Sequence, residues 1–96
     1  MRVRWTRPAL AQLAAMQDYL AGDSPTAAHH LVRTIRAAVR PLADFPAMGR
    51  PGRVAEPREL VVNRGRQVVA YRVQGHTVAI IAVLDARREW PEAFDA

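Results

Sequence analysis

The chain has no cysteine, no lysine, a single serine and no apolar run approaching the ~18 residues that a membrane span requires. Without cysteine there is neither a disulfide framework nor a thiolate metal site, which fits a reducing compartment. Ser24 stands directly before Pro25, where a helix would begin, so it reads as a helix cap and a serine nucleophile is not expected. Histidine is equally sparse. His29 and His30 are adjacent on a helix and point in different directions, and His76 falls in a turn. With no histidine pair at i, i+4, no metal site is expected. No glycine-rich phosphate loop precedes a helix, and no cofactor is expected. The N-terminal stretch MRVRWTRPALAQL starts basic but has no continuous apolar run or small-residue cleavage site, so no secretory signal is expected. These absences together lead us to expect a soluble, cytoplasmic chain.

What is present is arginine. All 14 basic side chains are arginine against 9 acidic ones, for a net charge of +5. The exclusive use of arginine reads as codon bias, but the charge has physical consequences whatever its origin. It favours polyanionic surroundings: nucleic acid, a ribosome, a DNA-bound enzyme or an acidic protein partner. Half of the 96 residues are hydrophobic. That suits one domain over residues 1–96, near the lower end of what a single apolar core sustains.

Residues 2–5, RVRW, alternate polar and apolar as a half-buried strand does. Thr6 then caps a helix that carries Pro8 in its first turn and Ala9, Leu13, Met16 and Leu20 in one stripe, with Gly22 at its end. Ser24-Pro25 repeats the start signal. The second helix places Ala28, Leu31, Ile35, Ala38, Val39, Leu42 and Phe45 on one side, and Pro41 predicts a break near residue 40. A short helical turn beyond it is expected to carry Leu42 and Phe45 back to the core. The short gap makes the two helices an antiparallel hairpin. Arg33, Arg36 and Arg40 line the opposite face of helix two, either as a solvated basic face or as a contact surface for something acidic.

FPAMGRPGRVAEP, rich in proline and glycine, reads as a connecting loop. Three β runs follow, RELVV (58–62), QVVAYRV (67–73) and TVAIIAVL (77–84), separated by turn-like NRGR and QGH. The last is nearly all apolar, as a central strand covered on both sides would be. The resulting order, β-α-α-β-β-β, is an α+β domain with a helical hairpin packed on a twisted antiparallel sheet. Alternation puts Arg58, Leu60 and Val62 on one face of their strand, opposite Glu59 and Val61; it groups Val68, Ala70 and Arg72 opposite Val69, Tyr71 and Val73. The helices can cover one side only. A guanidinium on the other side could meet a phosphate or carboxylate, or pair with Glu56, Glu59 or Asp85 within the domain.

The initial strand ending in tryptophan, the helical hairpin, FPAMGRPGRV, RELVV, VVAYRV and a closing REWP together resemble the ParE-type toxins of the RelE/ParE superfamily over almost the whole chain. GRPGRV followed by REL and YRV is the more specific part. The resemblance implies the toxin half of a bacterial type II toxin–antitoxin pair, of the kind associated with plasmid stabilisation. Its partner would be a ParD-like antitoxin with an acidic, wrapping C-terminal segment, in a hetero-oligomeric complex. Members of the superfamily either cut messenger RNA on the ribosome or, in the ParE branch, poison DNA gyrase. The ribonucleases carry basic residues across the open sheet face and a histidine or tyrosine near the C-terminus. This sequence departs from that set: Val68 stands where relatives often have arginine, Asp85 where many have histidine, and no histidine or tyrosine follows His76. Arginine does not deprotonate near neutral pH, and Glu59 as a base has no visible acid partner.

The expectation is therefore a gyrase poison with no catalytic residues, ribosome-dependent cleavage or a non-toxic antitoxin-binding role being the alternatives. Arg58, Arg72, Arg87, Arg88 and Trp90 are the candidates for contact with the target. Trp90, before Pro91, serves equally well as a plug closing the sheet. Met16, Tyr19, Arg33, Arg36 and Arg40 are the candidates for antitoxin contact, Met16 and Tyr19 being equally readable as core.

Overall fold

Thr6 and Ser24 start the two helices in the same way. Each sits in extended backbone, and each hydroxyl accepts a hydrogen bond from the amide three residues on, Ala9 at 3.3 Å and Ala27 at 3.2 Å. A proline follows in each first turn, where a missing N–H leaves nothing unsatisfied. The resulting helices are α1 (Arg7–Ala21) and α2 (Pro25–Val39), with Gly22 capping α1 in right-handed backbone. Thr6 has a second task. Its hydroxyl donates to the Ile80 carbonyl at 2.8 Å and so ties the start of α1 to the sheet.

This computed structural model describes residues 1–52 and 56–87. Its strands are β1 (Arg2–Trp5), β2 (Arg50–Pro51), β3 (Arg58–Val62), β4 (Gln67–Gln74) and β5 (Thr77–Asp85), in the sheet order β1-β5-β4-β3-β2. The meander β3-β4-β5 is antiparallel, as expected. Two features go beyond the sequence reading. β1 lies parallel to β5, so the sheet is mixed rather than wholly antiparallel. The proline-rich connection contributes a two-residue edge strand, β2, paired with β3. Alternation identifies a strand but carries no information on direction or neighbour, and two residues are too few to alternate.

The hairpin covers one face of this sheet. Ala9 and Leu13 from α1 and Leu31, Ile35 and Val39 from α2 pack against Val62, Val69, Tyr71, Val78, Ile80 and Val83. The opposite face holds a second buried set, Ala70, Ala79, Ile81 and Ala82. A bulge in β5 separates the pairs Ala70–Ala82 and Tyr71–Ile80, with Ile81 as the extra residue. It lets Ile81 and Ala82, consecutive in sequence, both join the second set.

Pro41 ends α2, and the chain continues as a 3₁₀ turn over Arg40–Ala43 that buries Leu42 completely. Phe45 is a correction. It is 65% exposed, because the helical repeat stops at Ala43 and nothing carries residue 45 back to the core. Truncating Ile35 to alanine should cost about 2–5 kcal/mol in urea denaturation. Phe45→Ala should stay within about 0.5 kcal/mol.

Candidate functional site

Tyr71 is the largest side chain with no exposed surface, and it lies on the helix-covered face. Its hydroxyl donates to the Pro46 carbonyl at 2.7 Å and accepts from the Gly49 amide at 2.8 Å. Arg58, opposite Tyr71 in the β3–β4 register, donates from Nη1 to the Gly49 carbonyl at 2.8 Å. Both polar groups of Gly49 are thus held by the sheet. The approach is close enough to require glycine: a Cβ there would sit 2.6 Å from the Tyr71 hydroxyl and 2.8 Å from the Glu59 carbonyl. At Gly52, whose amide bonds the Pro57 carbonyl at 3.0 Å, a Cβ would come within 2.2 Å of that oxygen. Both glycines of GRPG are explained by this contact between loop and sheet.

Glu59 and Arg72 fall on the other face. Glu59 pairs with Ala70 and Arg72 with Ala79, both members of the second buried set. Glu59 is 2% exposed, the one buried charged residue among those described. A buried carboxylate needs compensation. Arg50 supplies part of it from β2, with Nη2 at 3.3 Å from Oε1. Arg72 forms an ion pair with Glu56, whose backbone is left-handed at φ 90°. For a side chain other than glycine such a conformation costs on the order of 1–3 kcal/mol and persists only where its surroundings hold it. Glu56 and Glu59 therefore bring two carboxylates to the face that carries Arg72. Arg58 and Arg72, grouped in the sequence reading, lie on opposite sides of the sheet.

The antitoxin-contact candidates divide too. Arg33 and Arg36 on α2 and Arg40 in the 3₁₀ turn that follows it are exposed, and among the described residues no carboxylate pairs with them. Arg36 stacks over the Trp5 ring, 5.3 Å from its centroid. Two clefts meet here. One, of about 340 Å³, is lined by Val3, Trp5, Arg36, Val39, Arg40 and Ala43; the other, about 380 Å³, by His30, Arg33, Thr34, Arg36, Ala37 and Arg40. On α1, Met16 packs partly against the core whereas Tyr19 is 83% exposed.

Arg87 is exposed beyond β5, its amide bonded to Asp85 Oδ1 at 2.9 Å. It sits at the Gln67 end of β4, because Gln67 pairs with Asp85. Arg72 lies five residues along the strand, about 17 Å away. Arg58, Arg72 and Arg87 are therefore not one patch. Arg88 and Trp90 lie outside the described residues.

Sequence reasoning missed the burial of Glu59, the part of Arg50 and the pairing of Trp5 with Arg36. Only the first had a signal, since Glu59 is the polar member of the β3 face that carries Val61. No grouping of three or more histidine, cysteine, aspartate or glutamate side chains able to hold a metal occurs among the described residues. Nor is any described helix long and apolar enough to cross a membrane. Replacing Tyr71 by phenylalanine should lower stability by about 1–3 kcal/mol in urea denaturation, since the Gly49 amide and Pro46 carbonyl lose their partner. Gly49→Ala should cost at least as much, through direct overlap.

Residues 3–90 match the family model described as the ParE toxin of the type II toxin–antitoxin system parDE. The chain is 41% identical over 93 residues to Y4kP of Sinorhizobium fredii, a protein designated a toxin by inference, covering 97% of this chain and 96% of that one. It is 38% identical to the toxin RelE2 of Caulobacter vibrioides, over 91% of this chain and 97% of the relative. Among solved structures it resembles a chain of the chromosomal ParDE toxin–antitoxin system of P. aeruginosa. The TM-score is 0.80 at 31% identity, with 91% of this chain and 97% of that chain covered. Match, identity and fold agree, and the chain belongs to the ParE toxin family of the RelE/ParE superfamily.

Proposed function

We propose that this toxin acts by binding and poisoning DNA gyrase, without chemistry of its own, and that an antitoxin with an acidic segment neutralises it. The observation that carries the choice of target is the pairing on the sheet face opposite the helices. Message cleavage there would need a base for the 2′-hydroxyl, an acid for the leaving oxygen and free cationic groups for the phosphorane. Here Glu56 engages Arg72, and the Glu59 carboxylate lies buried against Arg50. A scissile phosphate would have to compete with the chain's own carboxylates. Tyr71, the family-typical tyrosine of YRV, is wholly buried with its hydroxyl doubly bonded, which removes it as a proton donor.

The alternative, ribosome-dependent cleavage of messenger RNA, is favoured by one observation: a relative bears a RelE name. Either target places the protein in the bacterial cytoplasm. An antitoxin partner is supported by the ParDE system to which the fold corresponds. The exposed Arg33, Arg36, Arg40 and Tyr19 are the surfaces for it. For the target, Arg87 is the strongest of the described candidates, because its side chain is exposed and no carboxylate pairs with it among the described residues.

Purified gyrase incubated with DNA, ATP and this protein free of antitoxin should accumulate protein-linked DNA breaks. Arg87→Ala should reduce them, and Arg72→Ala should do so much less. Unaffected gyrase, with the toxin shown to be folded, and cleaved message on translating ribosomes would reverse the assignment.

A further inference from the structure

The turn between β3 and β4 holds consecutive residues in left-handed backbone: Asn63, Arg64 and Gly65, at φ 52°, 58° and 85°. Glycine adopts that region freely and asparagine tolerates it, but an arginine there is strained, and such strain gathers at functional sites. The turn is also braced. The Asn63 side-chain amide donates to Gln67 Oε1 at 2.7 Å, and the Arg66 amide donates to the Asn63 carbonyl at 3.2 Å. The Ala86 amide donates to the Arg66 carbonyl at 2.9 Å, which brings the chain beyond β5 against the turn and sets Arg87 near Arg66. A braced turn has little ordering left to do when it meets a partner.

Arg64, Arg66 and Arg87 are all exposed, and no carboxylate pairs with them among the described residues. Asp85, two residues before Arg87, accepts the Arg87 backbone amide at 2.9 Å. Cations from two stretches of the chain therefore meet at one end of the sheet. The composition of the turn specifies their partner. Residues 63–67, NRGRQ, include no apolar side chain, whereas a protein interface is built around an apolar core. They include no aromatic ring either, whereas proteins that hold single strands stack the bases on such rings. Guanidinium groups with neither neighbour match the phosphate backbone of a duplex, whose oxygens they bond in pairs.

We infer that Arg64, Arg66 and Arg87 bind the phosphate backbone of duplex DNA. The inference rests on the gyrase reading for where that duplex is found, and deepens it by naming what these cations meet: the DNA that gyrase holds. A glycine would fit the backbone at residue 64 better than the arginine does. The arginine there is thus explained by contact rather than by the fold.

Binding of a short labelled DNA duplex to the toxin, free of antitoxin and without gyrase, tests the surface through its salt dependence. Each phosphate contact removed should make the slope of log affinity against log salt concentration shallower by about 1. The double variant Arg64→Gln/Arg66→Gln should therefore lose about 2 from the slope and Arg87→Gln about 1. The charge-matched variant Arg2→Gln/Arg7→Gln, at exposed positions elsewhere, should leave it unchanged. Arg64→Gly suits the left-handed backbone, so it should not lower the thermal midpoint, yet it should take about 1 from the slope. Single-stranded RNA of the same length should bind more weakly than the duplex. In the gyrase assay the Arg64→Gln/Arg66→Gln variant should lose most of the protein-linked breaks. An equal loss of slope in Arg2→Gln/Arg7→Gln, an unchanged slope in the turn variants, or RNA bound as tightly as the duplex would overturn the inference and leave the gyrase reading intact. Wild-type binding with these slopes beside an unaffected gyrase would overturn the gyrase reading and leave the duplex-binding surface standing.

Discussion

The hydroxyl of Tyr71 is the constraint around which the sheet end of this molecule is arranged. A buried phenol must find partners, and here they are the amide and a carbonyl of the loop that brings the chain from the helices to the sheet. Once Pro46 and Gly49 are held there, the next residues lie against β3, and Arg50-Pro51 pairs with Arg58-Glu59 as an edge strand. That pairing sets Arg50 beside the Glu59 carboxylate. Gly49 and Gly52 are needed because the loop runs too close to the sheet for any side chain. One polar group in the core thus accounts for GRPG, for the position of Arg58 and for much of the charge pattern of the face opposite the helices.

The described arginines that the sequence singles out as contact candidates, with Arg50, then divide into two kinds. Those at the β2-β3-β4 end are absorbed by structure: Arg58 by a loop carbonyl, Arg50 by Glu59, Arg72 by Glu56. Those on α2, in the turn after it and beyond β5 are exposed and paired with no carboxylate among the described residues, and they carry positive charge outward. A paired guanidinium stiffens the fold and contributes little field, whereas an unpaired one steers an acidic partner and responds to salt. This division supports reading the protein as one that works by contact.

Much of this was legible in the sequence, because the signals were local. Thr6-x-Pro8 and Ser24-Pro25 announce both helix starts, Pro41 announces the break, and the runs 58–62, 67–73 and 77–84 match strands to within a residue. The family was legible from GRPGRV, REL and YRV in order. What was not legible depends on contacts between distant residues. Nothing in RVRW says that it lies parallel to β5, and nothing in Phe45 says that the helical repeat has ended before it. Alternation separated Arg58 from Glu59 and Tyr71 from Arg72, but not which set faces the helices, so Arg58 and Arg72 were grouped when the sheet divides them. Arg36 over Trp5, 31 residues apart in sequence, left no pattern to read.

On the proposed function, the guanidinium of Arg72, paired with Glu56, does not serve as a phosphate-binding group. An NMR titration of the Arg72 Nε–H resonance with a single-stranded RNA oligonucleotide tests it most directly. In the wild-type protein the resonance should stay protected from solvent exchange and not move as RNA is added, while Glu56→Gln shifts it. A saturable RNA-dependent shift of that resonance in the wild-type protein would contradict it.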